Sequence, residues 1–547
     1  MTAFLMICGY LVLLVSVGLL GSIGRKRNSA VDYFLASRTC GAFLLVMTIF
    51  GTTMTSFALV GSTGQAYLRG IGVYGQMASW SALIHSACFF VIGTKLWHHG
   101  KRFGYTTQIQ FFTDRFRSPM LGFILFPILV GWVIPYVVIN ILGSGATIAG
   151  VTAGAFPKIF PTNDPVTNGG IPAWLGSGMV CLTVLTYVFR GGMRSLSFAN
   201  ALHAGVLIIL GGVILFLVIG KLGGASAASA LVAEHRPELL VRGAGRHGIG
   251  QWEFFTYMFV PLSVGMFPHL FQHWMTAKDV KTFRTVVILH PIFIMLVWAP
   301  CILLGIWAAT AAINGVPVIP PTLDDPNKIL GILVKKLTNP VVAGFLGVGI
   351  VSATMSLDSQ FLALSSMFTH DILLRAVGEK RLGDRQRVFL GRVMVVTIVA
   401  VAYLASLAAP RSVFTLGVWC FTGFSGLFPL VFASLYWRRV TSSGAIASIL
   451  AALVSWVYLF YESGWGANKD YLFAGTVMPA AVIVAVAVIA LIGVSLVTRP
   501  PAAEVVQRFF DTQATLASGP RGSTVLSPNP ESSSPPYIPC APAAKAE

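Results

Sequence analysis

Three short stretches of this 547-residue chain carry residue types that can hold a cation or a polar solute in apolar surroundings. The first is Gly51-Thr52-Thr53-Met54-Thr55-Ser56, four hydroxyls and a glycine inside an apolar run. Such residues either let helices pack closely, with hydroxyls bonded to the preceding turn, or mark an unwound hinge whose carbonyls coordinate a cation. The second stretch places Pro261, Ser263, Gly265 and Pro268 within eight positions. Proline removes a backbone donor and bends a helix, and glycine lets backbones approach. Pro261, Gly265 and Pro268 are read as a gating element. Two interrupted helices at matching places in two halves of a chain point to a transport site between them, and kinks of this kind can also be purely architectural. The third stretch is Ser352-Ala353-Thr354-Met355-Ser356-Leu357-Asp358-Ser359-Gln360. Asp358 is the only acidic residue well inside an apolar run. A carboxylate in hydrocarbon is costly and is functional by default; the bland alternative is a helix cap or an ion pair near the end of the span. Ser352, Ser356 and Gln360 share one helix face.

The elements that must position these residues follow from composition. The chain is 55% hydrophobic and 10% charged, against about 25% charged in a soluble protein. That excludes an ordinary soluble enzyme and a disordered chain. Crossing a bilayer takes about 20 mostly apolar residues. Thirteen candidate spans meet this, at 2–24, 42–66, 72–98, 119–155, 173–189, 201–222, 253–275, 285–313, 340–368, 389–409, 412–437, 443–461 and 472–497. The expected class is all-α integral membrane. Pro127 and Pro135 in the fourth span suggest kinks or an extra half-helix.

The net charge is +18, but the bases sit in clusters between spans, as at Arg25-Lys26-Arg27 and Arg438-Arg439. Such clusters set membrane orientation, so the expected partner is the lipid bilayer and not nucleic acid. With the N-terminus outside, 22 basic residues fall on inner loops and 11 on outer ones. That predicts a multi-pass protein of the cell (inner) membrane with a cytoplasmic C-terminus. The first span has no basic residue before it and no cleavage site, so it reads as a retained helix. An outer segment near 223–250 has room for a short amphipathic helix, and the Pro/Ser/Ala-rich tail at 498–547 reads as disordered. The seven cysteines are scattered without metal or disulfide spacing. Histidines 85, 203, 269, 273 and 290 are each read as structural rather than as a proton relay. Without a catalytic motif, the expectation is no enzyme and no cofactor.

Several stretches, in order, resemble the sodium/solute symporter family, which includes the sodium/proline, sodium/pantothenate and sodium/glucose cotransporters. They are Val31-Asp32-Tyr33-Phe34-Leu35-Ala36-Ser37-Arg38, Gly61-Ser62-Thr63-Gly64-Gln65-Ala66-Tyr67 and Arg102-Phe103-Gly104-Tyr105-Thr106-Thr107. Arg190-Gly191-Gly192-Met193-Arg194-Ser195, Phe267-Pro268-His269-Leu270 and the run from Ser356 to Ser366 continue the match. The resemblance covers roughly 1–497. It implies a leucine-transporter-like fold: a first transmembrane helix and inner linker (1–41), a first inverted repeat of five helices (42–222), an outer loop (223–252), a second inverted repeat (253–437), two accessory helices (438–497) and the tail (498–547). It implies secondary active transport, with sodium as coupling ion and symport of a small organic solute by alternating access. Carried over, sodium lies on the carbonyls of Gly51 and Met54, the Ser352 carbonyl and the Ser356 hydroxyl. The solute lies between spans 2, 4, 7 and 9, near Thr53, Ser56 and Ser263. Asn200 and Asp358 belong to the ion route.

Three positions depart from the family pattern. A hydroxyl pair before Leu357 is here Met355-Ser356, and a thioether is a poor ligand for a hard cation. A family aspartate is here Asn200. Aromatic residues of proline-type members correspond to Val260 and Val264, which argues against proline as solute. The rival readings are an uncoupled or proton-coupled transporter of the same fold and a transporter-like sensor, which the short tail argues against.

Overall fold

A backbone in hydrocarbon must satisfy its own polar groups, so each apolar run closes into a helix. The computed structural model describes residues 1–23, 29–163, 167–245, 247–320, 323, 326–378, 381–408 and 413–510. Among the described residues eleven helices are long and apolar enough to span a membrane: Thr2–Gly21, Tyr74–Phe103, Pro119–Thr152, Ala173–Gly191, Met193–Lys221, Thr282–Ala308, Pro340–Val377, Asp384–Ala408, Val413–Tyr436, Ser442–Glu462 and Pro479–Val497. Two further spans are bent pairs, Ala42–Thr53 with Phe57–Arg69 at 58° and Gln251–Met266 with Pro268–Thr276 at 55°. Counted in chain order these are spans 1 to 13, matching the thirteen expected runs. Among the described residues the one sheet is a hairpin of two-residue strands, Ala312–Ile313 and Val316–Pro317.

Both breaks have local causes. In span 2 the first half ends where Met54 turns extended, at φ −82° and ψ 112°. The chain re-enters a helix through a wide π turn at Phe57–Gly61. In span 7 Pro268 opens the second half, and the residue before a proline is driven out of the helical region; Phe267 has φ −67° and ψ 121°. The preceding stretch, Tyr257–Met266, is wound as a tighter 3-10 helix that contains Pro261. Pro127 and Pro135 behave differently. They lie inside one continuous 34-residue helix, Pro119–Thr152, so no extra half-helix forms. Packing of neighbouring spans can re-satisfy what a proline frees.

Spans 9 and 11 are buried over most of their surface, whereas span 6 presents most of its length outward. Exposed apolar side chains such as Phe123 and Phe216 face the lipid level. The 223–250 segment does hold a helix, Ala225–His235. The chain after Pro501 forms a separate unit whose described part is the helix Ala503–Phe510. The expected disorder from 498 is thus interrupted at once by a short helix, with Glu504 and Arg508 four apart. The rest of the tail and the Arg25-Lys26-Arg27 cluster lie outside the described residues.

At the face where the basic clusters gather, the linker after span 1 is clasped at several points. Asp32 is fully buried and accepts from Arg194 Nε at 2.9 Å and Ser37 Oγ at 2.6 Å. Gln272 Nε2 donates to the Phe34 carbonyl at 2.8 Å. Cys40 N–H donates to Thr276 O, and Lys278 N–H to Cys40 O. Arg38 Nη2 donates to the Tyr105 carbonyl at 2.9 Å, and burial pulls this guanidinium below its ordinary pKa. Gly192, at φ +58°, lies so close to Tyr33 that a Cβ would sit 2.3 Å from its carbonyl oxygen.

At the opposite face Arg69, ending span 2, forms a two-pronged pair with Glu253, opening span 7. Nη1 reaches Oε1 at 2.7 Å and Nη2 reaches Oε2 at 2.8 Å. Gln76 Nε2 of span 3 also donates to Oε1, at 3.1 Å. Breaking a buried pair strands the remaining charge. Glu253→Gln is therefore expected to cost about 3 kcal/mol, read as a lower thermal midpoint in detergent. An unchanged midpoint would remove the pair from this account.

Candidate transport site

The interrupted helices bring two polar groups into the middle of the bundle. The first surrounds Asp358. Its carboxylate accepts from Tyr187 Oη of span 5 at 2.8 Å, from Ser359 Oγ at 3.0 Å and from Asn200 Nδ2 of span 6 at 3.4 Å. Asn200 Nδ2 also reaches Ser359 Oγ at 3.1 Å, and His273 Nε2 of span 7 lies 3.0 Å from the same hydroxyl. Ser359 spends its single proton on Asp358, so Asn200 and His273 must be the donors there. The bonded partners of Asp358 bear no formal charge, and no salt bridge reaches it among the described residues. A buried carboxylate without a cation is expensive.

The surrounding oxygens suit a hard cation, which prefers oxygen ligands. Asn200 Oδ1 and Ser356 Oγ are buried without a partner. Ser352 O receives the Met355 N–H at 3.2 Å and keeps a second lone pair. Gly51 is pressed against span 6: a Cβ there would lie 2.7 Å from the Asn200 carbonyl oxygen. Gly51, Asn200, Asp358 and Ser359 therefore form one contact chain from the first break to span 9. Thr354 Oγ1 donates its proton to the Val351 carbonyl at 2.7 Å, which leaves its oxygen lone pairs. Met355 and Met54 are both buried.

The second group lies where the two breaks face span 4. Ser56 N–H donates to Asn140 Oδ1 at 3.1 Å. That bond fixes the amide orientation, so Asn140 Nδ2 is a donor, and it is buried without a partner. Ser56 Oγ is likewise unpartnered. Tyr136, one turn from Asn140, packs on Phe267 at 5.2 Å, His269 at 5.5 Å and Phe421 at 4.9 Å between ring centroids. Both nitrogens of His269 are buried and unpartnered, and the buried Gln360 amide has Tyr136 beside it. Buried polar groups are paired in the great majority of cases. This cluster, around one set of aromatic rings, is the candidate for contact with a polar ligand.

Other expected residues are placed differently. Thr53 Oγ1 turns back on the Ile49 and Phe50 carbonyls and meets His290 Nε2 at 3.0 Å. His290 stacks against His85 of span 3 and Phe89. Thr53 thus belongs to a cluster of spans 2, 3 and 8, apart from the Ser56–Asn140 bond. Ser263 and Pro261 are buried in the 3-10 stretch. Gly265 packs on Phe428, where a Cβ would meet the ring at 3.0 Å. Pro268 opens the second half of span 7, directly before His269. Sequence reasoning missed Tyr136 and Asn140, though a lone amide within an apolar run was a usable signal. It also took His269 for a structural histidine.

Two broken helices, one in each half of the chain, with a buried carboxylate beside one break, are the arrangement of a transporter of the leucine-transporter fold. The sodium:solute symporter family model matches residues 33–158 and 167–452, and the chain belongs to that family. A sodium/proline symporter of Haemophilus influenzae is 27% identical over 503 residues, covering 88% of this chain and 92% of the relative. A sodium/pantothenate symporter of the same organism is 24% identical over 439 residues, covering 79% and 85%. Among solved structures, a Na+-coupled sialic acid symporter in a substrate-bound outward-open state superposes with a TM-score of 0.73 at 16% identity, covering 91% of this chain and 98% of that one. A nucleobase-cation-symport-1 family transporter in a closed conformation, with bromovinylhydantoin bound, gives 0.55 at 13% identity, covering 89% and 99%. The chain is a multi-pass membrane protein, and its function is sodium-coupled symport of a small solute.

Proposed function

We propose that sodium binds between span 2 and span 9, and that the solute is a small hydrogen-bonding molecule of zero net charge with a ring or flat face. The observation that carries the solute reading is the set of unpartnered atoms on Ser56, Asn140 and His269 beside Tyr136. They offer donors and acceptors but no ionised side chain. A net charge in that place would be desolvated without compensation, whereas a flat face stacks on Phe267 and Phe421. Sodium takes the carbonyls of Gly51, Met54 and Ser352 and the hydroxyl of Ser356. Asp358 and Asn200 supply charge and carbonyl oxygen on the ion route, and Pro261, Gly265 and Pro268 let the two halves of span 7 tilt separately. Ser263 supports the solute from the 3-10 stretch, whereas Thr53 is held on His290 and backs the first break from outside the solute group.

The repeats are 42–222 and 253–437, each opening with a broken helix. The Arg38, Arg194 and Arg375 face is cytoplasmic, which puts the N-terminus outside and the membrane as the cell (inner) membrane. Alternating access then opens the Asp32 clasp and the Arg69–Glu253 pair in turn.

Thermal stability in sodium chloride against choline chloride, at equal ionic strength, tests the ion site without knowledge of the solute. Sodium at about 100 times its dissociation constant adds about 2.7 kcal/mol. A saturable, sodium-specific rise that weakens in Ser356→Ala is expected. Identical stability in both salts up to high concentration would sink the assignment.

A further inference from the structure

At the basic face the inner ends of spans 3 and 8 enclose a cavity of about 510 Å³, lined by Trp97, His98, Lys101, Arg102, Asp279 and Lys281 among others. It lies outside the transport site. Its floor is rigid: Trp97 Nε1 donates to the Ala277 carbonyl at 2.9 Å, and Lys101 Nζ stands 4.8 Å above the indole ring. Its lining carries Lys101, Arg102 and Lys281 against the single carboxylate of Asp279. Asp279 is engaged in capping span 8, with Oδ1 accepting the Thr282 N–H at 3.2 Å. Lys101 and Lys281 are exposed and have no carboxylate within ion-pair distance among the described residues. The pocket therefore selects an anion.

The surroundings say which kind. A tryptophan at the end of a span sits at the headgroup level. Phe90 stands seven residues before Trp97 in the same span and is 64% exposed. Ile288 and Ile292 stand seven and eleven residues after Lys281, and both are exposed. Apolar tracks thus run from the cationic pocket into the hydrocarbon along both spans. A soluble anion would need only the pocket; a phospholipid needs both parts.

We propose that this cavity is a binding site for an anionic phospholipid, with the headgroup phosphate between Lys101 and Lys281 and acyl chains along Phe90 and Ile288. Basic pockets between helices at this level take such headgroups. A zwitterionic lipid brings its own ammonium and gains less from two unpaired lysines. The lipid bridges spans 3 and 8, which already touch through Tyr74 and Met295.

The test uses the full chain purified in detergent, with its thermal midpoint followed as phosphatidylglycerol or phosphatidylcholine is added. Phosphatidylglycerol is expected to raise the midpoint by several degrees and to saturate, with little change from phosphatidylcholine. Lys101→Gln with Lys281→Gln should abolish the rise, and Lys278→Gln, a neighbouring exposed lysine outside the pocket, should keep it. Equal effects of the two lipids would overturn the site. So would a rise that survives the double variant, or one lost equally in Lys278→Gln. An equal rise from inorganic phosphate alone would make the pocket a site for soluble anions and overturn the lipid.

Discussion

Asp358→Asn is expected to abolish sodium stabilisation and to weaken apparent sodium affinity in uptake by about 100-fold. The reason is electrostatic. A unit charge about 4 Å from a cation, at an effective dielectric of about 20, contributes roughly 4 kcal/mol. Part of that offsets the cost of dehydrating both groups, and each 1.4 kcal/mol left is about tenfold in affinity. The same substitution should make the sodium-free protein no less stable than the parent, because it removes a buried charge whose bonded partners here are Tyr187, Ser359 and Asn200. Both arms are read from thermal midpoints in sodium and choline, together with sodium-titrated uptake into vesicles. A variant that keeps its sodium response would show that Asp358 is a structural hub and no part of the ion route.

Gly51→Ala should be as damaging through shape alone. The new methyl carbon would stand 2.7 Å from the Asn200 carbonyl oxygen and 3.3 Å from its carbon. Both are backbone atoms, so spans 2 and 6 must move apart. Overpacking of this kind typically costs about 1–3 kcal/mol, which a folded protein can survive. The larger consequence falls on function, because Asn200 is bonded to both Asp358 and Ser359. Transport is expected to fall at least tenfold in protein that still purifies as a single species. Gly131→Ala is the control: nothing lies within 4 Å of its added carbon, and alanine favours the helix by about 1 kcal/mol. Normal uptake by Gly51→Ala would separate the first break from the Asp358 network.

Much of this architecture was legible because the lipid environment imposes so few choices. Length and apolarity located thirteen spans, and Pro, Gly and hydroxyl residues located both bends. Asp358 stood out because charge inside an apolar run is rare. The solute group was harder to read. Tyr136 and Asn140 sit in a run that a packing helix would use equally well, and His269 gains meaning only once both its nitrogens are seen to lack partners. Thr53 and Ser56 are three residues apart, yet across the extended turn at Met54 the Thr53 hydroxyl goes to His290 and the Ser56 N–H to Asn140. Helical spacing holds no information about a residue that leaves the helix.

The linker clasp bears on how the membrane keeps its energy. Asp32, Phe34, Arg38 and Cys40 are anchored to span 6, span 7, the Tyr105 loop and the turn after span 7. Tilting the second half of span 7 strains the Gln272 and Thr276 anchors together, while the Arg194 and Tyr105 anchors hold. Were all of them to release together, half-open states would be scarce. A half-open carrier is a leak, through which ions run down their gradient with no cargo aboard. A many-point clasp that let go only as a whole would work as insulation, holding the membrane battery charged between turnovers.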